Sequence, residues 1–225
     1  MKKIQFSGVL FDLDGTLLDT APEFKVALNQ LLQAENKPTL TDELPAHALG
    51  VAVNNGLAGL IKLGFGADLD PTYYETLITR LSKHYFNQLG EMSTLFPGMA
   101  LCLEQLKTHN SPWGIVTNKP QKFTLPLIKK ISQFRESKVI VSGDTLAYSK
   151  PHPAPLYYAC EKMKLDTHNV LYVGDAKRDM EAAIAANMKC ALAAYGYLSP
   201  DDPLHSWGAN YHLEQAEQLI KLILC

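Results

Sequence analysis

Asp12 and Asp14 are two carboxylates one residue apart, set in Gly8-Val9-Leu10-Phe11-Asp12-Leu13-Asp14-Gly15-Thr16-Leu17-Leu18-Asp19-Thr20. The apolar run Val9 to Phe11 reads as a buried strand. Its carboxyl end is where open α/β sheets place ligands. In extended chain the two aspartates point to the same side, and like charges that close repel unless something positive lies between them. Gly15 permits a sharp turn directly afterwards. A calcium loop would need a further Asp or Asn and a downstream Glu, which Thr16, Leu17 and Leu18 do not supply. A plain Asp-Gly turn is the other structural alternative.

Three later strand ends carry polar residues of the same kind. Thr117-Asn118-Lys119 follows the strand Trp113 to Val116. Lys150 sits in Ser149-Lys150-Pro151. Gly174-Asp175 closes the strand Val170 to Val173, and Asp179 follows four residues on. Each has a structural alternative: a helix cap before Pro120, a surface lysine, and an N-cap with a first-turn acid. Parallel strands, however, bring all these ends to one edge of a sheet. Asp12, Asp14, Asp175 and Asp179 against Lys150 leave an excess of negative charge that calls for a divalent cation. Hard oxygen ligands suit magnesium. Metal and lysine together can hold a phosphate, with Thr16, Thr117, Asn118 and nearby backbone N–H groups on its oxygens.

The elements that position these residues follow from the hydrophobic pattern. From residue 20 to 90 the chain reads as helix without strand. Its stripes are Phe24, Ala27, Leu28, Leu31 and Leu32, then an apolar stretch from Ala46 to Leu63 opened near Thr41-Asp42-Glu43, then Tyr74, Leu77, Ile78, Leu81 and Tyr85 after Asp70-Pro71. Beyond Phe96-Pro97-Gly98, strands and helices alternate to a last helix, Glu214 to Ile223. That alternation predicts an α/β protein, a doubly wound, Rossmann-like parallel sheet core with an inserted small α-helical cap domain. The expected division is a core of residues 1–18 and 91–225 and a cap of residues 19–90.

Composition bounds the rest. The 225 residues are 47% hydrophobic and 20% charged, with formal net charge −2, ordinary for a globular protein. There is no basic excess for nucleic acid and no basic amphipathic helix for a membrane surface. Met1-Lys2-Lys3 resembles the start of a signal peptide, but Gln5, Ser7 and Asp12 break the following apolar segment. No run is long enough to span a membrane. Cys102, Cys160, Cys190 and Cys225 are widely spaced, which predicts free thiols in a reducing cytoplasm. The seven histidines form no close metal pattern.

Asp12-Leu13-Asp14-Gly15-Thr16, Val116-Thr117-Asn118, Lys150-Pro151 and Gly174-Asp175-Ala176-Lys177-Arg178-Asp179 together resemble, in order, the four motifs of the haloacid dehalogenase superfamily phosphatases. The helical insert lies where that family places its cap. Leu17-Leu18-Asp19-Thr20-Ala21-Pro22 is similar to the phosphoglycolate phosphatase-like members. Tyr195-Gly196-Tyr197 and Ser206-Trp207-Gly208-Ala209 are similar to a bacterial branch, some of whose members act on N-acetylmuramic acid 6-phosphate. The resemblance implies Asp12 as nucleophile and Asp14 as general acid and base. It implies magnesium held by the Asp12 carboxylate, the Asp14 carbonyl and Asp175, with Asp179 orienting that shell. Lys150 would neutralise charge. Thr117 and Asn118 would bind the phosphoryl group. The segment Gly50 to Gly56, with Asn54 and Asn55, is the expected cap loop that meets the leaving group. Without Arg or Lys, it suits a sugar better than a second carboxylate. The expected partner is a small phosphorylated metabolite, handled by a monomer or a homodimer.

Rival readings remain at this level. A dehalogenase of the same fold needs no metal and no proton donor at position 14. A mutase would return the phosphoryl group to a second hydroxyl. A receiver domain is about half this length and lacks the insert. An interaction protein with a decayed site would not retain every motif residue.

Overall fold

A computed structural model describes residues 5–223. Met1-Lys2-Lys3 and Cys225 lie outside them. Strand β1 (Gly8–Phe11) is followed by the two-residue strand β2 (Leu18–Asp19) and four helices: α1 (Ala21–Ala34), α2 (Ala46–Asn54), α3 (Gly56–Phe65) and α4 (Pro71–Gln88). The short strand β3 (Thr94–Leu95) returns antiparallel to β2, pairing Leu18 with Leu95 and Asp19 with Thr94. Then come α5 (Met99–Thr108), β4 (Trp113–Val116), α6 (Gln121–Lys130), β5 (Ile140–Val141), α7 (Ala154–Met163), β6 (Val170–Gly174), α8 (Lys177–Ala185), β7 (Lys189–Ala193), β8 (Tyr211–Leu213) and α9 (Gln218–Ile223).

Six strands form one parallel sheet in the order β5-β4-β1-β6-β7-β8. Its residues alternate between two apolar layers, as the pleat requires. Val9, Phe11, Ile115, Leu171, Val173, Ala191 and Ala193 face one layer. Leu10, Val116, Val170, Tyr172, Cys190 and Leu192 face the other. Helices therefore cover both faces, and the strands are buried throughout their centre. β1 is flanked by β4 and β6, so Asp12, Thr117 and Asp175 emerge side by side from neighbouring strand ends.

The helical insert, with α2–α4 as a cap, is as the sequence predicts, but its details differ. Residues 41–45 form turns instead of a helix start, and α2 begins after Pro45. Gly50 to Gly56 is not a loop: Gly50 to Asn54 belong to α2, and Asn55 alone separates it from α3. Gly56 takes φ +64° there, a left-handed value glycine adopts without strain. Asp70 does cap α4, accepting from the Thr72 and Tyr73 N–H groups at 3.0 Å each. The last helix is shorter than expected, and β8 was unforeseen, its three residues carrying too little pattern. Among the described residues Cys102, Cys160 and Cys190 are free and buried, and no helix is long and apolar enough to cross a membrane.

Candidate active site

β1 ends at Phe11 and the chain bends at Leu13, and Asp12 and Asp14 both border one cavity. Each has its own lysine. Asp12 Oδ1 accepts from the Leu13 N–H at 2.7 Å and pairs with Lys150 Nζ at 2.9 Å. Asp14 Oδ1 and Oδ2 lie 2.9 and 3.0 Å from Lys119 Nζ, and Thr20 Oγ1 donates to Oδ1 at 2.7 Å. The repulsion read from the sequence is thus relieved first by two buried ammonium groups.

Lys150 is no surface lysine: its side chain is 0% exposed. Nζ lies 2.7 Å from Asp179 Oδ1 and 2.8 Å from both the Val116 carbonyl and Tyr172 Oη. Tyr172 Oη in turn lies 3.1 Å from Asp179 Oδ1. Asn118 fixes the lysine's backbone, its Nδ2 donating to Lys150 O at 2.7 Å and its Oδ1 accepting from Lys150 N at 3.0 Å. That carboxamide, expected on a phosphate, is already engaged. Burial pushes the Asp12 carboxyl up, against the pull of Lys150. Burial acts the same way on Asp179, but the charges of Lys150 and Arg178 outweigh it and hold that carboxyl below its ordinary range.

Asp175 is fully buried and has no basic side chain of the described residues within ion-pair distance. Its partners are Thr16 Oγ1 at 3.2 Å, Asn54 Nδ2 at 3.0 Å and the Tyr197 N–H at 2.9 Å. Burial, then the charges of Asp12 and Asp179, raise its pKa to about 7. Thr16, expected on the phosphate, therefore spends its hydroxyl on Asp175. Neither Asp175 nor Thr117 caps a helix: Ala176 is the N-cap of α8, and Asp179 Oδ2 accepts its N–H at 2.9 Å. Oxygens of Asp12, Asp175 and Asp179 lie within 4.8 Å of one another. The set is all hard oxygen, and Asp175 is a buried carboxylate short of positive charge, which fits a divalent cation. Gly15 takes φ +80°, and a Cβ there would collide with Asp175 Oδ2, so glycine keeps that side open.

A cavity of about 430 Å³ opens beside these groups. Asp12, Asp14, Thr117, Asn118, Lys119 and Arg178 line its floor, and Val53 to Ala58, among them Asn54, Asn55 and Gly56, line its cap side. Thr16, Lys150, Asp175 and Asp179 do not line it; Lys150 reaches it through its contact with Asp12. Asn55 is exposed and its Nδ2 is bound to Val51 O at 2.8 Å.

Three residues were missed. Lys119 is 3% exposed, with Nζ 4.8 Å from the ring centres of Phe24 and of Tyr85, which stack 3.8 Å apart. Its place two residues after Thr117 was the available signal. Arg178 lies inside the last motif; its guanidinium makes no hydrogen bond or ion pair with described residues, its Nε is buried, and it borders the cavity. Tyr197 belongs to a tail segment noticed only for resemblance. With Lys119 and Arg178 present, the negative excess is smaller than the sequence count suggested. The case for a cation now rests on Asp175.

Residues 9–193 match the family described as haloacid dehalogenase-like hydrolase. The chain belongs to that family. It is 39% identical to a phosphoglycolate phosphatase of Xanthomonas campestris pv. campestris over 213 residues, 94% of each chain. It is 34% identical to the N-acetylmuramic acid 6-phosphate phosphatase of Pseudomonas putida over 220 residues, 98% of this chain and 97% of the relative. A crystal structure described as a predicted phosphoglycolate phosphatase from Haemophilus somnus 129pt superposes with TM-score 0.82 at 26% identity, covering 97% of this chain and 98% of that one.

Proposed function

We propose that this protein is a magnesium-dependent phosphate monoester hydrolase that works through an aspartyl-phosphate on a small phosphorylated metabolite. The observation that carries this is the asymmetry of Asp12. Its Oδ1 is pinned by Leu13 N–H and Lys150, while Oδ2 accepts no bond from described residues and the side chain borders the cavity. One oxygen is oriented and the other is available to attack phosphorus.

In the first step Asp12 Oδ2 forms a bond to phosphorus, the ester P–O bond breaks, and Asp14 gives its proton to the departing alkoxide. In the second, water attacks the phosphorus of the aspartyl-phosphate, Asp14 takes the water's proton, and inorganic phosphate leaves with Asp12 restored. Lys150 neutralises charge on Asp12 throughout, and Thr117 with neighbouring backbone N–H groups meets the phosphoryl oxygens. Magnesium would be held by the Asp12 carboxylate, the Asp14 carbonyl and Asp175, with Asp179 orienting the set. When bound it supplies positive charge to the phosphoryl oxygens.

The substrate reading is phosphoglycolate phosphatase-like, after the relatives at 34–39% identity. The alternative is a sugar phosphatase acting on N-acetylmuramic acid 6-phosphate, after the Pseudomonas relatives. Both substrates are phosphate esters of acids. Lys122 and Arg178 reach the cavity from the core side, so the lack of basic residues in the Gly50–Gly56 segment no longer counts against a carboxylate. We propose residues 19–90 as the cap, beginning at the last residue of β2 and ending just before β3. The deciding experiment measures inorganic phosphate release from a panel of monoesters containing both compounds. Free phosphate from either supports hydrolysis; phosphoryl return to a second hydroxyl without phosphate release would make the protein a mutase.

A further inference from the structure

The amide of Asn54 does not point away toward a leaving group. Its Nδ2 lies 3.0 Å from Asp175 Oδ2 and 2.9 Å from the Tyr197 carbonyl. Both partners are acceptors, so the nitrogen must occupy that position. A cap helix thus ends in a side chain that donates directly to the carboxylate the metal site depends on. Asn54 Oδ1 is buried with no hydrogen-bond partner among the described residues.

Tyr197 extends the connection to the hinge, residues 19–21, where the chain passes from β2 into α1. Its N–H donates to the same Asp175 Oδ2 at 2.9 Å. Its phenol donates to Asp19 Oδ1 at 2.7 Å and accepts from the Thr20 and Ala21 N–H groups at 2.7 and 2.8 Å. Those N–H groups open α1, whose N-cap residue, Thr20, makes no side-chain cap bond and donates its hydroxyl to Asp14 instead. The Tyr197 ring packs flush against α2: a Cβ built at Gly50 would approach it to 2.9 Å. One residue of the core therefore touches the cap, the chain's crossing point and Asp175.

We propose that Asn54 is a positioning residue for Asp175, through which seating of the cap and placement of the metal ligand become one event, and that Tyr197 ties this contact to the hinge. The proposal rests on the metal-site part of the function above. It moves Asn54 from leaving-group recognition to the support of a ligand. Groups that orient a metal ligand are worth roughly 10–100-fold in metal affinity or activity.

The test is Mg²⁺ titration of the substrate-free protein by calorimetry, beside amide hydrogen exchange of residues 50–56. In Asn54→Ala, Mg²⁺ affinity is expected to fall about tenfold and exchange in that segment to quicken. Mg²⁺ affinity equal to the parent's, with a raised KM for the phosphate ester, would overturn the proposal and return Asn54 to substrate contact. Tyr197→Phe is the second variant, since it keeps the ring and both backbone contacts. It is expected to weaken Mg²⁺ binding and to speed exchange at Thr20 and Ala21; unchanged Mg²⁺ binding in a protein with faster exchange there would remove the hinge arm. A parent protein that binds Mg²⁺ but releases phosphate from no ester would sink the enzymatic reading and leave the positioning result standing.

Discussion

Asp12 and Asp14 stand two residues apart, and the molecule holds them in opposite ways. Around Asp12 every partner comes from the core: Leu13 N–H and Lys150, the latter itself fixed by Val116, Tyr172, Asp179 and Asn118. Around Asp14 one partner, Thr20, comes from the crossing point, and the other, Lys119, comes from the core connection after β4 but packs on Phe24 of α1 and Tyr85 of α4. Asp14 is also more open, with 16% of its side chain exposed against 3% for Asp12. In the proposed reaction a nucleophile profits from being immobile, and a proton carrier must answer to the alcohol that leaves. The contrast assigns rigidity to one carboxylate and responsiveness to the other.

The largest expected effect tests the division itself. Asp12→Asn, assayed on an aryl phosphate with Mg²⁺, should lose at least about a thousandfold in turnover; retained turnover would dissolve the distinction between the two aspartates. Next come the lysines. Lys150→Met leaves Asp12 and Asp179 buried without their shared cation and should cost about 3–5 kcal/mol in urea unfolding. Lys119→Met leaves Asp14 with Thr20 and some solvent, and should cost about 1–3 kcal/mol. Equal losses would mean that both poles are equally closed.

Asp175 offers a pH test of the Asp12 pole. Its pKa is about 7 in the fold, against 3.8 for an ordinary aspartate. Its contribution to the metal-free fold is thus complete below about pH 4 and lost as pH rises through 7. Cation binding requires the carboxylate, so the Mg²⁺-induced rise in Tm should be larger at pH 8 than at pH 5.5. An equal rise at both would take Asp175 out of the metal site. The smallest effect belongs to the other pole: Tyr85 Oη is buried without a hydrogen-bond partner among the described residues. Tyr85→Phe should change stability by no more than about 0.5 kcal/mol, or raise it. A large loss would show that the hydroxyl has a bound partner near Asp14.

What could be read in the sequence was what has a period or a fixed place along the chain. The strands alternate and the helices carry stripes, so the doubly wound sheet and the insert were evident. The aspartates at strand ends were evident because parallel pairing of β4, β1 and β6 carries them to one edge. What escaped was assembled from distant segments. Nothing local says that Lys119 reaches Asp14, that Asn118 is taken by the Lys150 backbone, or that Thr16 turns to Asp175. Tyr197 contacts a residue nearly 180 positions earlier, and no spacing encodes that. One expectation failed for a simpler reason: glycine and asparagine in Gly50–Gly56 suggested a loop, whereas Gly50 to Asn54 pack as helix beside Tyr197.

The chain leaves the sheet at β2 and comes back at β3, and these two-residue strands pair with each other. Departure and return are therefore neighbours, and everything between them is an appendage whose replacement need not alter the order of the six strands. Such an arrangement lets descent tinker with recognition while the hydrolytic machinery is inherited intact. A graft of another insert onto this core would carry one obligation: it must bring an amide donor to the spot where Asn54 now meets Asp175.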